Sequence, residues 1–247
     1  MSGAHTANSA PVPVLYRDDA LLVLDKPAGA SLFADRVGAE TLWPSLVEHF
    51  GRLLPVHRLD KGTSGVLVFA RQPAMQQHLN RVFAAGSLRK YYVARVTGRL
   101  RLAGTGSIDL PLMPGRKSRY RVGGPRAAIE RQGNHWRLTV AADPKAIAAR
   151  TDLRVLEAGE STLLLLRPHT GRTHQLRVHL SWIGHAIRGD HLYGDQKDPA
   201  QAFPRLALHS HRIVLPLPGG RTLSVRSTLP AQFRGTADAG GPGAGPD

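Results

Sequence analysis

Apolar positions recur along this chain with two periods, and the elements follow from which one is in force. Val14 to Tyr16 and Leu21 to Leu24, separated by Arg17-Asp18-Asp19-Ala20, read as a hairpin that ends on the turn Lys26-Pro27-Ala28-Gly29. Leu42, Leu46, Val47 and Phe50 then return at helical spacing behind Thr41, a candidate N-cap, and Gly51 stops the run. Val66 to Ala70 is a continuous apolar run of strand length, which predicts a strand covered on both faces. Pro73 suits a first helical turn, Met75, Leu79, Val82 and Phe83 form an apolar stripe, and Gly86 closes that helix. Lys90 to Val96 alternates with period two, so Tyr92, Ala94 and Val96 share a strand face, although Tyr91 and Tyr92 both suit a core.

From Gly98 to Arg154 the pattern loosens into short strand-like pieces and Pro/Gly turns, an antiparallel excursion. It carries Arg116, Lys117, Arg119, Arg121, Arg126, Arg131 and Arg137, with Glu130 as the only acid between Arg116 and Arg137. Leu153 to Leu156 and Thr162 to Leu166 read as strands, the second continuous enough to be central, and Pro168-His169-Thr170-Gly171 breaks it. Thr173 onwards is a helix with Leu176, Leu180 and Ile183 on one stripe and Gly184 at its end. Gly189-Asp190 and Tyr193-Gly194 are turns, and Leu206–Leu208, Arg212–Leu217 and Thr222–Val225 complete a sheet. No internal repeat is present.

Charge changes the picture. With 33 Lys and Arg against 18 Asp and Glu, the 247 residues carry a net charge of +15, so a polyanion is the natural partner. The absence of cysteine excludes disulfides, thiol nucleophiles and Cys-ligated zinc. No run approaches the ~18 consecutive apolar residues of a membrane span. Met1 to Pro13 has neither a basic cluster nor an apolar core and is not a secretory signal, so a cytoplasmic protein, acting as a monomer and with no membrane partner, is expected. The Gly, Ala and Pro-rich stretch from Thr236 to Asp247 is expected to be disordered.

Two stretches carry candidate chemistry. His57-Arg58-Leu59-Asp60-Lys61-Gly62-Thr63-Ser64-Gly65 feeds the apolar strand directly, which places Asp60 at the edge of the core, where a carboxylate needs hydrogen bonds or a cation. Taken alone it also reads as an ordinary Asx-type turn. Thr170-Gly171-Arg172-Thr173-His174-Gln175-Leu176-Arg177-Val178-His179-Leu180 brings two arginines and two histidines to a helix start. Taken alone, that is an amphipathic helix with a polar first turn, yet Arg177 flanks the apolar stripe and calls for an acid, for which Asp60 is the candidate. His169, His174 and His179 are spaced by five and do not share a helix face, which speaks against a metal site, and no phosphate-cradling Gly-x-x-x-x-Gly-Lys-Ser/Thr loop exists.

Together the stretches are less ordinary. DKPAG, HRLDKGTSG, KYYVA, TGRTHQLRVHLSWIGHAIRGDHLYG and LHSHRIVLPLP occur in this order, and from Val14 to Phe233 the chain resembles the RluA-type pseudouridine synthases. The resemblance implies an α+β fold, a single catalytic domain over residues 14–235 with a large mixed, mainly antiparallel sheet flanked by helices and loops, and a basic variable excursion at about 99–154. It implies an isomerase that converts uridines of rRNA or tRNA stem-loops to pseudouridine, with no cofactor and no metal. It maps the nucleophile to Asp60, the ring that packs on uracil to Tyr92, the aspartate's partner to Arg177 and the base-flipping side chain to Arg58. His57, Thr63, Arg172 and His174 are the further candidates for RNA contact. Gly62 stands where many relatives carry an acid, and Ala186 replaces the proline usual in that family's Gly-His-Pro-Ile. No separate S4-like RNA-binding module is expected before the catalytic region. A non-catalytic RNA-binding protein of the same fold is the alternative, and an inward carboxylate beside phosphate-binding cations argues against it.

Overall fold

The computed structural model of the protein describes residues 12–33 and 41–233. Its organising element is the apolar run read above. In chain order the strands before and including it are β1 (Val14–Arg17), β2 (Leu21–Lys26), β3 (Leu54–Pro55) and β4 (Ser64–Ala70), and all seven residues of β4 are buried. Alternation sends Val66 and Val68 to one face, where they pack with Leu79 of helix α2 (Pro73–Ala84), and Leu67 and Phe69 to the other, with Leu46 and Phe50 of α1 (Trp43–Phe50). The strand is apolar throughout because both faces are covered. Each such Leu or Phe contributes about 1.5–3 kcal/mol.

Next come β5 (Arg89–Thr97), β6 (Thr105–Asp109), the small hairpin β7 (Leu112–Pro114) and β8 (Tyr120–Val122), then β9 (Ile129–Gln132), β10 (His135–Leu138), β11 (Arg150–Ala158) and β12 (Ser161–Pro168). Helix α3 (Gln175–Trp182) and strands β13 (Leu208–Pro216) and β14 (Thr222–Arg226) complete the described chain. The strands form one sheet in the order β1-β2-β4-β13-β5-β12-β11-β6-β10-β9, with β14 beside β13 and β3 beside β4, while β7 and β8 pair separately. Pairing is antiparallel except for β13–β4 and β10–β6. This is an α+β fold with a mixed, mainly antiparallel sheet. Among the described residues no helix is long and apolar enough to cross a membrane.

The structure differs from the sequence reading in four places. The helix behind Thr41 starts at Trp43 with Leu42 at its N-cap and no side-chain cap, its first turn being set by Pro44. The excursion is not wholly antiparallel, because β10 returns alongside β6 in parallel, a pairing that depends on partners distant in sequence. The two pieces expected at Leu206–Leu208 and Arg212–Leu217 join as β13, and a register shift between Ser210 and Arg212 accounts for the polar gap in their pattern. Val12 and Pro13, expected in the tail, are held: Val12 is buried, and the Pro13 carbonyl accepts the Asp25 amide at 2.9 Å. The remaining tail residues, 1–11 and 236–247, lie outside the described residues.

Candidate active site

The central row of the sheet assembles the site. Strand pairing sets Ser64 opposite His209, His209 opposite Val93 and Val93 opposite Leu165, which brings the loop before β4, the start of β5 and the loop after β12 to one region. Here β4 and β13 approach so closely that a Cβ at Gly65 would lie 2.2 Å from the Ser210 carbonyl, and Gly65 also has a φ of +104°. Only glycine fits there. The cleft that results has a volume of about 1310 Å³ and is lined by the Arg58–Asp60 loop, Tyr92, the β7–β8 hairpin and residues 168–177.

Asp60 sits in a turn closed by the Thr63 amide, which donates to the Asp60 carbonyl at 3.0 Å. Behind this turn lies a group the sequence reading treated only as part of a turn. Lys26 is fully buried, and its ammonium donates to the carbonyls of Pro27 at 2.9 Å, Ala30 at 2.7 Å and Lys61 at 3.2 Å. It bolts the residue after Asp60 to the Pro27–Ala30 turn. Burial pushes its pKa down to about 8, with the Asp60 charge acting in the opposite direction. The signal was a lysine at the end of an otherwise apolar strand, directly before proline.

Arg177 reaches Asp60, as the residue types suggested, but its stronger partner is Asp190. Nε donates to Asp190 Oδ2 at 2.8 Å and Nη2 to Oδ1 at 2.7 Å, a bidentate pair, and Nη1 then donates to Asp60 Oδ2 at 3.2 Å. Asp190 is 1% exposed and is itself fixed by the amides of Leu192 and Tyr193. Burial works against the Arg177 cation, yet the two carboxylates outweigh it and raise its pKa. Asp190 was missed because Gly-Asp before His-Leu-Tyr-Gly has the composition of a surface turn.

Tyr92 lines the cleft, whereas Tyr91 lies under the Arg212 guanidinium at 5.9 Å, which settles the strand face. Burial pushes the Tyr92 hydroxyl up to about 12, and the Asp60 charge adds to the rise. Arg58 is exposed at the cleft mouth, as is Arg172, whose Nε donates to the Ala148 carbonyl at 3.2 Å. Two of the further candidates have structural employment. His57 Nε2 accepts the Val68 amide at 2.9 Å and its ring stacks on Phe83, while burial pushes its pKa to about 3, so it anchors the loop as a neutral ring. Thr63 is 2% exposed and serves the turn through its amide, with little surface for RNA.

His174 caps α3 with φ +55°, one of three non-glycine residues at positive φ among those described; the others, Lys117 and Ser118, form the tip of the β7–β8 hairpin. His174 and Ser118 both line the cleft, so backbone strain collects where the chemistry is. Gln175 ties the preceding loop down: its Oε1 accepts the Thr170 hydroxyl at 2.6 Å and the Arg172 amide at 3.1 Å, and its amide donates to the Arg150 carbonyl at 3.0 Å.

A cleft holding one carboxylate against an arginine, a ring beside it and exposed cations at its mouth suits chemistry on a base of a nucleic acid. Comparison with known families decides which. Residues 20–182 match the model of the RNA pseudouridylate synthases. The chain belongs to the RNA pseudouridylate synthase family. It is an RNA pseudouridine synthase, an isomerase. The synthase is 33% identical over 231 residues to the dual-specificity RNA pseudouridine synthase RluA of Escherichia coli K12, covering 89% of this chain and 93% of that one. It is 36% identical to ribosomal large subunit pseudouridine synthase D of Nitrosomonas europaea, matching 92% of this chain but spanning only 64% of that protein. Among solved structures, human RNA pseudouridylate synthase domain containing 4 superposes on the synthase with a TM-score of 0.71 at 26% identity, over 90% of each chain.

Proposed function

We propose that this synthase isomerises specific uridines in locally folded stem-loops of rRNA, tRNA or both, with Asp60 as the nucleophile acting on a base flipped out of its stack. The observation that carries this is the Asp190–Arg177–Asp60 chain, in which a buried arginine, held bidentately, presents its remaining nitrogen to one oxygen of a part-exposed carboxylate facing the cleft. Arg177 holds and orients Asp60 through Oδ2. The reaction breaks uracil N1–C1′, turns the base, joins C5 to C1′, releases the C5 proton and takes up a proton at N1, so the product is an isomer with no net redox change. A carboxylate opens this sequence by attacking C1′ or by taking the C2′ proton to give a glycal, and either route begins at Asp60.

Tyr92 supplies a ring face for the turning base, and as a phenol held protonated by burial it offers that face without a second negative charge beside Asp60. Extrusion of the base costs a few kcal/mol, and the planar guanidinium of Arg58 can stack in the gap left behind. A cleft of about 1310 Å³ exceeds the roughly 300–1,000 Å³ of a small-molecule pocket, which leaves room for the target nucleotide and its neighbours. The names of the two relatives above, one of the large ribosomal subunit and one of dual specificity, favour structured RNA. The test is transcriptome-wide mapping of pseudouridine with and without the protein, followed by assay on the minimal stem-loop around each lost site. Activity on isolated stem-loops is expected. Sites that need full-length rRNA or an assembled particle would overturn the local-element reading.

A further inference from the structure

We propose that His174 is a positioning residue, locked by Tyr193 as the neutral Nε2–H tautomer so that its N–H faces Asp60 Oδ2, the oxygen Arg177 holds, and leaves Oδ1 as the reacting oxygen. This rests on Asp60 being the nucleophile. The hydrogen bonds assign the tautomer. The Tyr193 hydroxyl accepts the Tyr120 backbone amide at 2.8 Å and lies 2.8 Å from His174 Nδ1. Among the described residues it has no other acceptor for its own proton, so it donates to Nδ1 and the imidazole proton is left on Nε2. That nitrogen faces Asp60 Oδ2 at 3.8 Å, the same oxygen that accepts from Arg177 Nη1 at 3.2 Å. Oδ1 accepts no hydrogen bond from the described residues.

The groups facing the imidazole come from every neighbouring element: Asp60 and Arg58 from the loop before β4, Arg177 from α3, Asp190 and Tyr193 from the turn after it, and the Tyr120 ring edge from β8. Burial lowers the His174 pKa, opposed by Asp60 and Asp190 and supported by Arg177 and Arg58. Burial likewise raises that of Tyr193, which keeps its hydroxyl able to donate. At 3.8 Å, longer than a hydrogen bond, the Nε2–H dipole biases Oδ2 electrostatically without adding a second full positive charge that would hold Asp60 back from C1′. The left-handed backbone at His174 puts the ring there.

Two substitutions separate this from a backbone role. Glutamine carries its amide near the position of Nε2, whereas asparagine reaches only that of Nδ1. Asparagine is also the more at ease with positive φ. His174→Gln is expected to keep more of kcat than His174→Asn, by about tenfold, with KM for RNA little changed in both. If Asn equals or exceeds Gln, the residue matters for its backbone and the proposal fails. Nitrogen-15 spectra of the histidine ring in the unmutated protein give an independent reading: an Nε2–H tautomer is expected, becoming a mixture in Tyr193→Phe, and an Nδ1–H tautomer overturns the proposal. Asp60→Asn run in parallel keeps the two ideas apart, since turnover retained there removes the nucleophile itself, while its loss together with an inverted Gln/Asn order removes only the role of His174.

Discussion

Arg58 and Asp60 stand two residues apart and are treated oppositely by the fold. The carboxylate is gripped, while the guanidinium is exposed at the cleft mouth with no side-chain hydrogen bond to any described residue. A side chain left that free is suited to entering a nucleic-acid stack. Arg58→Ala is therefore expected to reduce turnover at least about tenfold more on a base-paired or stacked target than on an unstructured oligonucleotide, since only the former carries the extrusion cost. Single-turnover rates on the two substrates check this, and equal losses would remove the flipping role. At this scale the sequence was most legible where chemistry demands a pairing: an arginine beside an apolar stripe and an acid at a core edge needed each other. Asp190 and Lys26 were not legible, because a carboxylate in Gly-Asp and a lysine before Pro-Ala-Gly look like turn residues until burial is known. Gly65 was legible as a turn residue, but not as the point where two strands nearly touch.

Among the elements, the basic excursion divides into structural and free cations. Arg126 lies over the Trp182 ring at 5.1 Å and donates to the Ser181 carbonyl, and Arg131 lies over Trp136 at 4.8 Å and donates to the carbonyls of Gly133 and Arg101. Arg116, Lys117 and Arg119 crowd the β7–β8 turn with no side-chain partner among the described residues, and Ser118 between them lines the cleft. Neutralising these three to Gln should reduce the slope of log K against log salt for single-stranded RNA by up to about 2, at about 0.7 for each phosphate left without its cation. Arg126→Gln and Arg131→Gln should leave that slope alone and lower Tm. Titration of RNA binding over a range of salt decides between them, and an unchanged slope in the triple variant returns the turn to ordinary solvated surface. The run of like charge was visible in the sequence. Which cations were already engaged was not, because their partners are tryptophan faces and carbonyls brought in from other elements.

For the molecule as a whole, three histidines besides His174 are folded in as neutral groups. Burial pushes His179 and His209 down to about 4 and His57 to about 3, against about 6.5 for an exposed ring. The unfolded chain therefore binds more protons than the folded one below pH 6.5, so the stability linked to these rings is complete above that pH and is lost as pH falls toward 4. Tm should decline between pH 6.5 and 5, before most carboxylates titrate, with proton uptake on unfolding approaching roughly three from these rings and His174 adding in the same direction. Calorimetry in buffers of different ionisation heat reads that number, and a flat Tm over this range would contradict the assignment. Neutral burial also explains why these three rings need not be metal ligands or RNA contacts: His179 is spent between the Thr151 hydroxyl and the Leu110 carbonyl.

The central claim is that Asp60, held through Arg177 by Asp190, performs the chemistry and does not serve merely to bind. Tritium release from RNA labelled at uridine C5, measured under single-turnover conditions with Asp60→Asn alongside the unmutated protein, tests it most directly. Asparagine keeps the side chain's shape while removing the nucleophile. The account predicts release indistinguishable from background with RNA affinity retained within a few-fold, whereas tritium release at a rate comparable to the unmutated protein would contradict it.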